Sequence, residues 1–302
     1  MNDNNVLICG GSGLVGTKLA GLLRREGYKV MILSRRKNAD QAEFYYWDPA
    51  RDFINPDAIL NANIIINVAG AGIADRKWSA RRKAEIQNSR VQSTDLIYKK
   101  LQELKVRPDL FISASAVGFY GDRGDEVLEE HSSAGQGFLA ETALKWERAA
   151  MRIHDLGVRT VVFRIGVVLA REGGALSKLA QPVRLYVGAP LGEGTQYVSW
   201  IHIDDLCRMF LMAIRNKRLS GIFNAVSPEP VTNGGLTTAI AEELERPLIL
   251  PAVPEFALRL AMGEMAHVVL DSTRVSSERI QTAGFEFRYA KLPAALSDLL
   301  AG

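Results

Sequence analysis

The 302-residue sequence predicts an α/β fold, a doubly wound parallel sheet with a smaller C-terminal lobe, on three observations. Short apolar runs rich in Val, Ile and Leu recur from Val6 to Ile165 and alternate with helix-compatible stretches, which means a parallel sheet covered on both faces. The first run passes directly into a glycine cluster and then into a helical pattern. After Arg171 the chain changes character and becomes rich in glycine- and proline-bearing loops.

The elements follow in order. Residues 6–9 form the first strand, and Leu14, Leu19, Leu22 and Leu23 share one face of a helix that runs to Gly27. Residues 29–33, 63–68, 110–114 and 160–165 are the next four strands. Gly173, Gly174, Pro182, Gly188, Pro190, Gly192 and Gly194 then mark loops, followed by a helix over 204–214 and a strand over 221–225. A helix over 237–244 precedes Pro247, Pro251 and Pro254, which set off the C-terminal segment. The expected division is a dinucleotide-binding domain over 1–170, to which 200–226 returns, and a substrate lobe made of 171–199 and 227–302.

Composition narrows the function classes. With 47% hydrophobic and 24% charged residues, a disordered or disulfide-scaffold chain is excluded. The 37 basic and 34 acidic residues leave a net charge of only +3, without the basic field that nucleic-acid binding needs, so nucleic acid is not an expected partner. Cys9 and Cys207 lie in apolar stretches with no second ligand at metal spacing, which fits reduced thiols of a cytoplasmic protein and no metal centre. No signal peptide or membrane span is expected, because residues 1–5 carry no lysine or arginine and Asn61, Asn63 and Asn67 interrupt the most apolar stretch. Nothing in the sequence specifies an oligomeric state.

The glycine cluster reads Gly10-Gly11-Ser12-Gly13-Leu14-Val15-Gly16, between the first strand and the first helix. Glycines let the backbone turn sharply and approach a pyrophosphate, whose charge is met by free amides and the positive end of the helix dipole. The strand-loop-helix setting makes this a Rossmann-type dinucleotide site. At the end of the second strand an NAD binder carries an acid for the ribose hydroxyls. This chain has Ser34-Arg35-Arg36 there, donors suited to a 2′-phosphate, so NADP(H) is the expected cofactor.

With Asn67-Val68-Ala69-Gly70 after the third strand and Trp200-Ile201-His202-Ile203-Asp204-Asp205-Leu206 later, the chain resembles an extended short-chain dehydrogenase/reductase. More narrowly it is similar to the atypical epimerase family proteins. That likeness rests on Trp78, Lys83, Ser89 and Arg90, on Ser113 to Gly118 with Tyr120-Gly121, on Trp146-Glu147, and on Pro190-Leu191-Gly192. Asn224, Gly263-Glu264-Met265 and Ala283-Gly284-Phe285 extend it through the C-terminal segment. The resemblance implies that the dinucleotide touches the glycine loop, Ser34 and Arg35, the strand end at Val68, Ala69 and Gly70, Glu85 and Arg90 on the next helix, and Val168.

The catalytic pattern departs from that superfamily, whose members place a serine after the fourth strand and a Tyr-x-x-x-Lys on the following helix. The lysine lowers the tyrosine's pKa so that it relays a proton at neutral pH. Ser115 fits the first requirement, but none of the eight tyrosines has a lysine four residues later. Phe138 or Leu139 stands at the tyrosine position and Thr142 or Ala143 at the lysine position. Tyr120, in a loop at the sheet's carboxyl edge, is the phenol nearest to Ser115 along the chain, so Ser115 and Tyr120 are the catalytic candidates. Lys83 belongs to a basic run that reads as a solvated helix face, and His202 reads as a hydrogen-bonded structural histidine. Two classes of function remain open: an NADP(H)-dependent oxidoreductase or epimerase on a small polar substrate, and a non-catalytic NADP(H)-binding redox sensor.

Overall fold

The computed structural model describes residues 4–35 and 43–301. Strand β1 (Asn5–Cys9) is followed by helix α1 (Leu14–Arg25), β2 (Lys29–Ser34), β3 (Phe44–Asp48), β4 (Phe53–Ile54) and β5 (Ile64–Asn67). Helix α2 (Ala80–Leu104) leads to β6 (Leu110–Ala116), α3 (Phe138–His154) and β7 (Arg159–Ile165). The remaining large elements are α4 (Gly174–Arg184), α5 (Ile203–Arg215), β8 (Gly221–Ala225), α6 (Asn233–Glu243) and α7 (Leu292–Leu300). One sheet takes eight strands in the order β8-β7-β6-β5-β1-β2-β3-β4, parallel except where β4 closes the edge antiparallel to β3. This is the doubly wound sheet that the alternating pattern predicts.

Register decides where the site lies. Cys9 pairs with Leu33 on one side and Asn67 on the other, and Asn67 pairs with Ser113. The strands therefore end level, and Gly10, Ser34, Val68 and Ala114 begin one carboxyl edge. Successive residues point to opposite faces. Val6, Ile8, Val30, Ile32, Ile64 and Ile66 pack with Leu19 and Leu23 of α1 and Leu206, Met209 and Phe210 of α5. Leu7, Cys9, Met31, Leu33 and Ile65 pack with Leu96, Ile97 and Leu101 of α2 and Ala150 and Ile153 of α3. Each fully buried aliphatic side chain contributes roughly 1.5–3 kcal/mol, so these two layers dominate the stability.

Two elements differ from expectation. Strand β3 has no sequence counterpart in the pattern of apolar runs, because its Phe44-Tyr45-Tyr46-Trp47 is aromatic and only Trp47 of the strand is buried. Where loops were expected, α4 is a helix: Gly173 and Gly174 lie at its start with positive φ, Pro182 falls near its end, and Leu176, Ala180 and Val183 are buried at helical spacing. Those three pack with Trp200, Leu236 and Ile240 and with Leu292, Leu296 and Leu299 of α7.

A buried carboxylate holds the C-terminal segment. Asp205 accepts from the Arg288 and Tyr289 backbone N–H groups at 2.9 and 2.8 Å and from Arg208 Nη1 at 2.7 Å. Ser227 adds a bond of 2.8 Å to the Ala290 carbonyl. Asp205→Ala leaves the buried Tyr289 N–H and the partly buried Arg288 N–H without an acceptor and is expected to cost about 3 kcal/mol, read as a lower urea midpoint at unchanged slope.

Candidate functional site

The glycine loop carries the chain from β1 into the start of α1. Gly10 has φ +86°, and a Cβ there would lie 2.8 Å from the Ala69 backbone nitrogen, so this residue is glycine for internal reasons. A Cβ on Gly16 would run into the Gly10 carbonyl oxygen, and one on Gly11 would lie 2.8 Å from Ile32. Gly13 differs. Its φ of −83° suits any residue, and the nearest atom to its Cβ direction is the Gly10 oxygen at 3.4 Å. Nothing among the described residues requires glycine there. Gly13 also precedes α1, which has no side-chain cap and no acid in its first turn, leaving its positive end for an anion. Ser12, Gly13 and Leu14 are exposed and Val15 is half-buried.

The other residues assigned to the cofactor stand on the same edge. Ser34 ends β2, Arg35 follows it exposed, and Arg36 lies outside the described residues. Gly174 fits between Leu14 and the Val168 carbonyl, which brings Val168 to the loop: a Cβ on Gly174 would lie 2.9 Å from Leu14 Cδ2 and 3.7 Å from the Val168 oxygen. Asn67 is fully buried and clamps α2, donating to Thr94 Oγ1 at 2.9 Å and accepting from the Ala69 N–H at 3.2 Å. The turn Val68-Ala69-Gly70 is therefore rigid, and the Ala71 N–H continues it with a 2.9 Å bond to Ser89 Oγ. Arg90 Nη1 donates to the Ala71 and Ile86 carbonyls at 3.1 and 2.8 Å. Glu85 is exposed and pairs with Arg82 at 2.8 Å; that hydrogen bond, more than any other cause, holds its carboxyl below the usual range.

Behind the ends of β6 and β7 lies a polar network that is almost sealed. Ser115 Oγ donates to Glu147 Oε1 at 2.7 Å, and Arg164 grips both oxygens of Glu147 through Nε and Nη2, each at 2.8 Å. Arg164 Nη1 continues to Tyr120 Oη at 3.0 Å, and Tyr120 donates its proton to Asn224 Oδ1 at 2.7 Å. Ser115, Tyr120, Glu147, Arg164 and Asn224 are each 5% exposed or less. Burial pushes the Tyr120 phenol above its ordinary pKa, and the Arg164 charge only partly opposes this. Burial also works against the Arg164 charge, but the bond and charge of Glu147 outweigh it and raise its pKa.

The structure thus brings both catalytic candidates into one network and commits the proton of each to a partner inside the protein. Phe138 meets Trp78 edge-on at 4.9 Å, Leu139 abuts Gly118, and Ala143 packs with Val117, Phe119 and Tyr120. Apolar contacts therefore fill most of the positions of the absent tyrosine and lysine. Lys83 is paired with Glu264 at 2.7 Å, bridging α2 to the C-terminal segment. His202 Nδ1 accepts from the Asp204 N–H and caps α5, and burial lowers its pKa. Sequence reasoning overlooked Arg164. Its signal is a lone arginine within Val161-Val162-Phe163-Arg164-Ile165, matched by Glu147 on the buried face of α3 with Ala140, Ala143 and Ala150.

A glycine loop at the switch between β1 and α1, a donor pair ending β2 and a serine ending β6 define an extended short-chain dehydrogenase/reductase, a class of NAD(P)-binding proteins. The chain belongs to the NAD dependent epimerase/dehydratase family, whose profile matches residues 6–225, and residues 253–299 match a domain of unknown function, DUF1731. It is 38% identical to the epimerase family protein ML0860 of Mycobacterium leprae over 97% of this chain and 94% of that one. It is 34% identical to the chloroplastic epimerase family protein SDR39U1 homolog of Arabidopsis thaliana, over 98% and 86%. The crystal structure of human epimerase family protein SDR39U1 with NADPH superposes with a TM-score of 0.88 at 29% identity, covering 98% of this chain and 99% of that one. Among the described residues no helix is long and apolar enough to cross a membrane, and no cluster of His, Cys, Asp and Glu is placed to hold a metal ion.

Glu147→Ala would strand the Arg164 guanidinium in the interior and is expected to lower stability by about 3–5 kcal/mol in urea unfolding. Arg164→Met with Glu147→Leu, which removes both charges, is expected to recover most of that loss.

Proposed function

We propose that this chain binds NADP(H) and acts as an NADP(H)-dependent oxidoreductase or epimerase on a small polar substrate. The observation that carries the cofactor reading is Gly13, a glycine with ordinary φ whose Cβ would meet nothing closer than the Gly10 oxygen at 3.4 Å, at the uncapped start of α1. The N–H groups of the first turn of α1 would hold the pyrophosphate, and Ser34 with Arg35 would donate to the 2′-phosphate. The NADPH of the human relative's crystal structure supports the same choice. When bound, the dinucleotide would carry the hydride. The proton then falls to Ser115 and Tyr120, the two groups at the β6 end. Because Tyr120 has no adjacent lysine and its pKa is raised by burial, little phenolate exists at neutral pH, and turnover would be slow and increase with alkalinity.

A second reading, a non-catalytic NADP(H)-binding redox sensor, is favoured by one feature: Tyr120 is fully buried and its hydroxyl donates to Asn224 Oδ1. NADPH oxidation measured against small aldehydes, ketones and quinones over a pH series, with Tyr120→Phe beside the parent, separates the two. The enzyme reading expects activity rising with pH and lost in Tyr120→Phe; equal activity in the variant removes Tyr120, and no turnover by either supports the sensor.

Two binding predictions test the cofactor. Arg35→Asp is expected to reverse a preference for NADPH over NADH in fluorescence titrations, and equal affinities in the parent would refute the assignment of Ser34 and Arg35. Gly13→Val is expected to abolish NADPH binding while the melting temperature stays near the parent's; unchanged affinity would make the glycine merely structural.

A further inference from the structure

Among the described residues the four most exposed large apolar side chains, Leu260, Phe256, Ile249 and Leu185, stand in two short segments, and Leu250, Tyr186 and Val187 join them there. The segments run side by side. Arg246 lies over the Tyr186 ring at 5.1 Å, and further along the Val253 N–H donates to the Pro190 carbonyl at 2.8 Å while the Gly192 N–H donates to the Val253 carbonyl at 2.9 Å. Tyr186 holds its half-exposed ring on a backbone with φ +61°, a region that favours glycine. The short helix Glu255–Met262 follows. It buries only Leu258 and leaves Phe256 and Leu260, one turn apart, on an open face.

Area and charge say what this surface meets. At 46–83% exposure the seven side chains together present on the order of 800 Å², what one partner contributes to a standard interface and above the roughly 300–600 Å² of a monomer's largest apolar patch. A helix lying on a membrane carries mainly basic residues along its polar face. Here the margins hold both signs: Glu245 adjoins Arg246, and Glu255 pairs with Arg259 at 2.6 Å on the short helix. That mixture suits a second protein surface with the same alternation. When a helix meets its own copy antiparallel about a two-fold axis, the same flank of each faces the other in reverse order. Glu255 then comes opposite Arg259 of the second copy, at both ends of the contact.

We propose that two copies of this chain associate through this surface, with the helices Glu255–Met262 antiparallel about a two-fold axis and Phe256 of each copy covering Leu260 of the other. The inference stands independently of the NADP(H) reading.

Sedimentation velocity over a concentration series tests it. The parent is expected to be a dimer in the micromolar range. Phe256→Glu with Leu260→Glu changes exposed side chains only, so circular dichroism should show an intact fold, while association weakens at least about a hundredfold. Leu60→Glu, at an exposed apolar residue outside the surface, should leave the dimer unchanged. Charge reports the pairing. Glu255→Arg and Arg259→Glu each break the pair within the helix and set like charges across the axis, so each alone should associate more weakly than the parent. An equimolar mixture of the two should form a mixed dimer tighter than either variant forms with itself. A monomeric parent overturns the inference, as does a dimer that the double glutamate variant leaves intact or a mixture no tighter than its components. A monomeric parent that sediments with phosphatidylserine vesicles, and ceases to do so in the double variant, assigns the surface to a membrane and overturns the inference in that way.

Discussion

A carboxylate and a guanidinium with almost no exposure, Glu147 and Arg164, join helix α3 to strand β7 through two bonds of 2.8 Å. Neither charge has water to fall back on, so each must satisfy the other and then find partners for what remains. Glu147 accepts a hydrogen bond from Ser115, and Arg164 donates to the Tyr120 oxygen and to the Glu130 carbonyl at 3.1 Å. Tyr120 in turn reaches Asn224 on β8, whose Nδ2 donates to the Ser276 carbonyl at 3.0 Å. One ion pair thus orients the end of β6, the loop after it, the edge strand and the C-terminal segment together. The guanidinium also lies 3.5 Å from the Phe119 ring centre, so an apolar wall shields the pair from solvent.

The parts legible in the sequence are those written in neighbouring residues. Gly10 to Gly16 announces itself because strand, turn and helix are consecutive, and the β-strand cores do so because both faces are buried. The Glu147–Arg164 pair is separated by only 17 residues, yet its meaning depends on α3 packing back over the sheet. Helix α4 was obscured by Gly173, Gly174 and Pro182, which read as loop residues but sit at or near its ends, where they do little harm. Strand β3 was obscured by its aromatic composition. Trp47 alone of its five residues is buried, so no apolar run marks it.

The carboxyl edge combines two kinds of design. Around α1 the backbone does the work: glycine stands at 10, 11 and 16 because a Cβ would run into Ala69, Ile32 or the Gly10 carbonyl, and at 13 without any such clash. Around α2 and α3 side chains do the work. Asn67, Ser89 and Arg90 hold the turn after β5 in place, so that its backbone presents one fixed surface. A rigid turn on one side and a bare helix end on the other favour preorganised binding, in which little ordering remains to be done when a ligand arrives.

The superfamily's proton relay needs a tyrosine and a lysine that face the cleft from the same helix as Glu147. Here that helix keeps its structural carboxylate while Phe138, Leu139 and Ala143 turn the relay positions into packing contacts. Arg90, placed on the neighbouring helix and stacked on Trp146, supplies a cation to the same region without a phenol to act on. Positive charge near the β5 end is therefore present where the tyrosine and lysine of the usual relay are not. In this chain the cation beside the β5 turn and the relay pair are independent features, and only the first is kept.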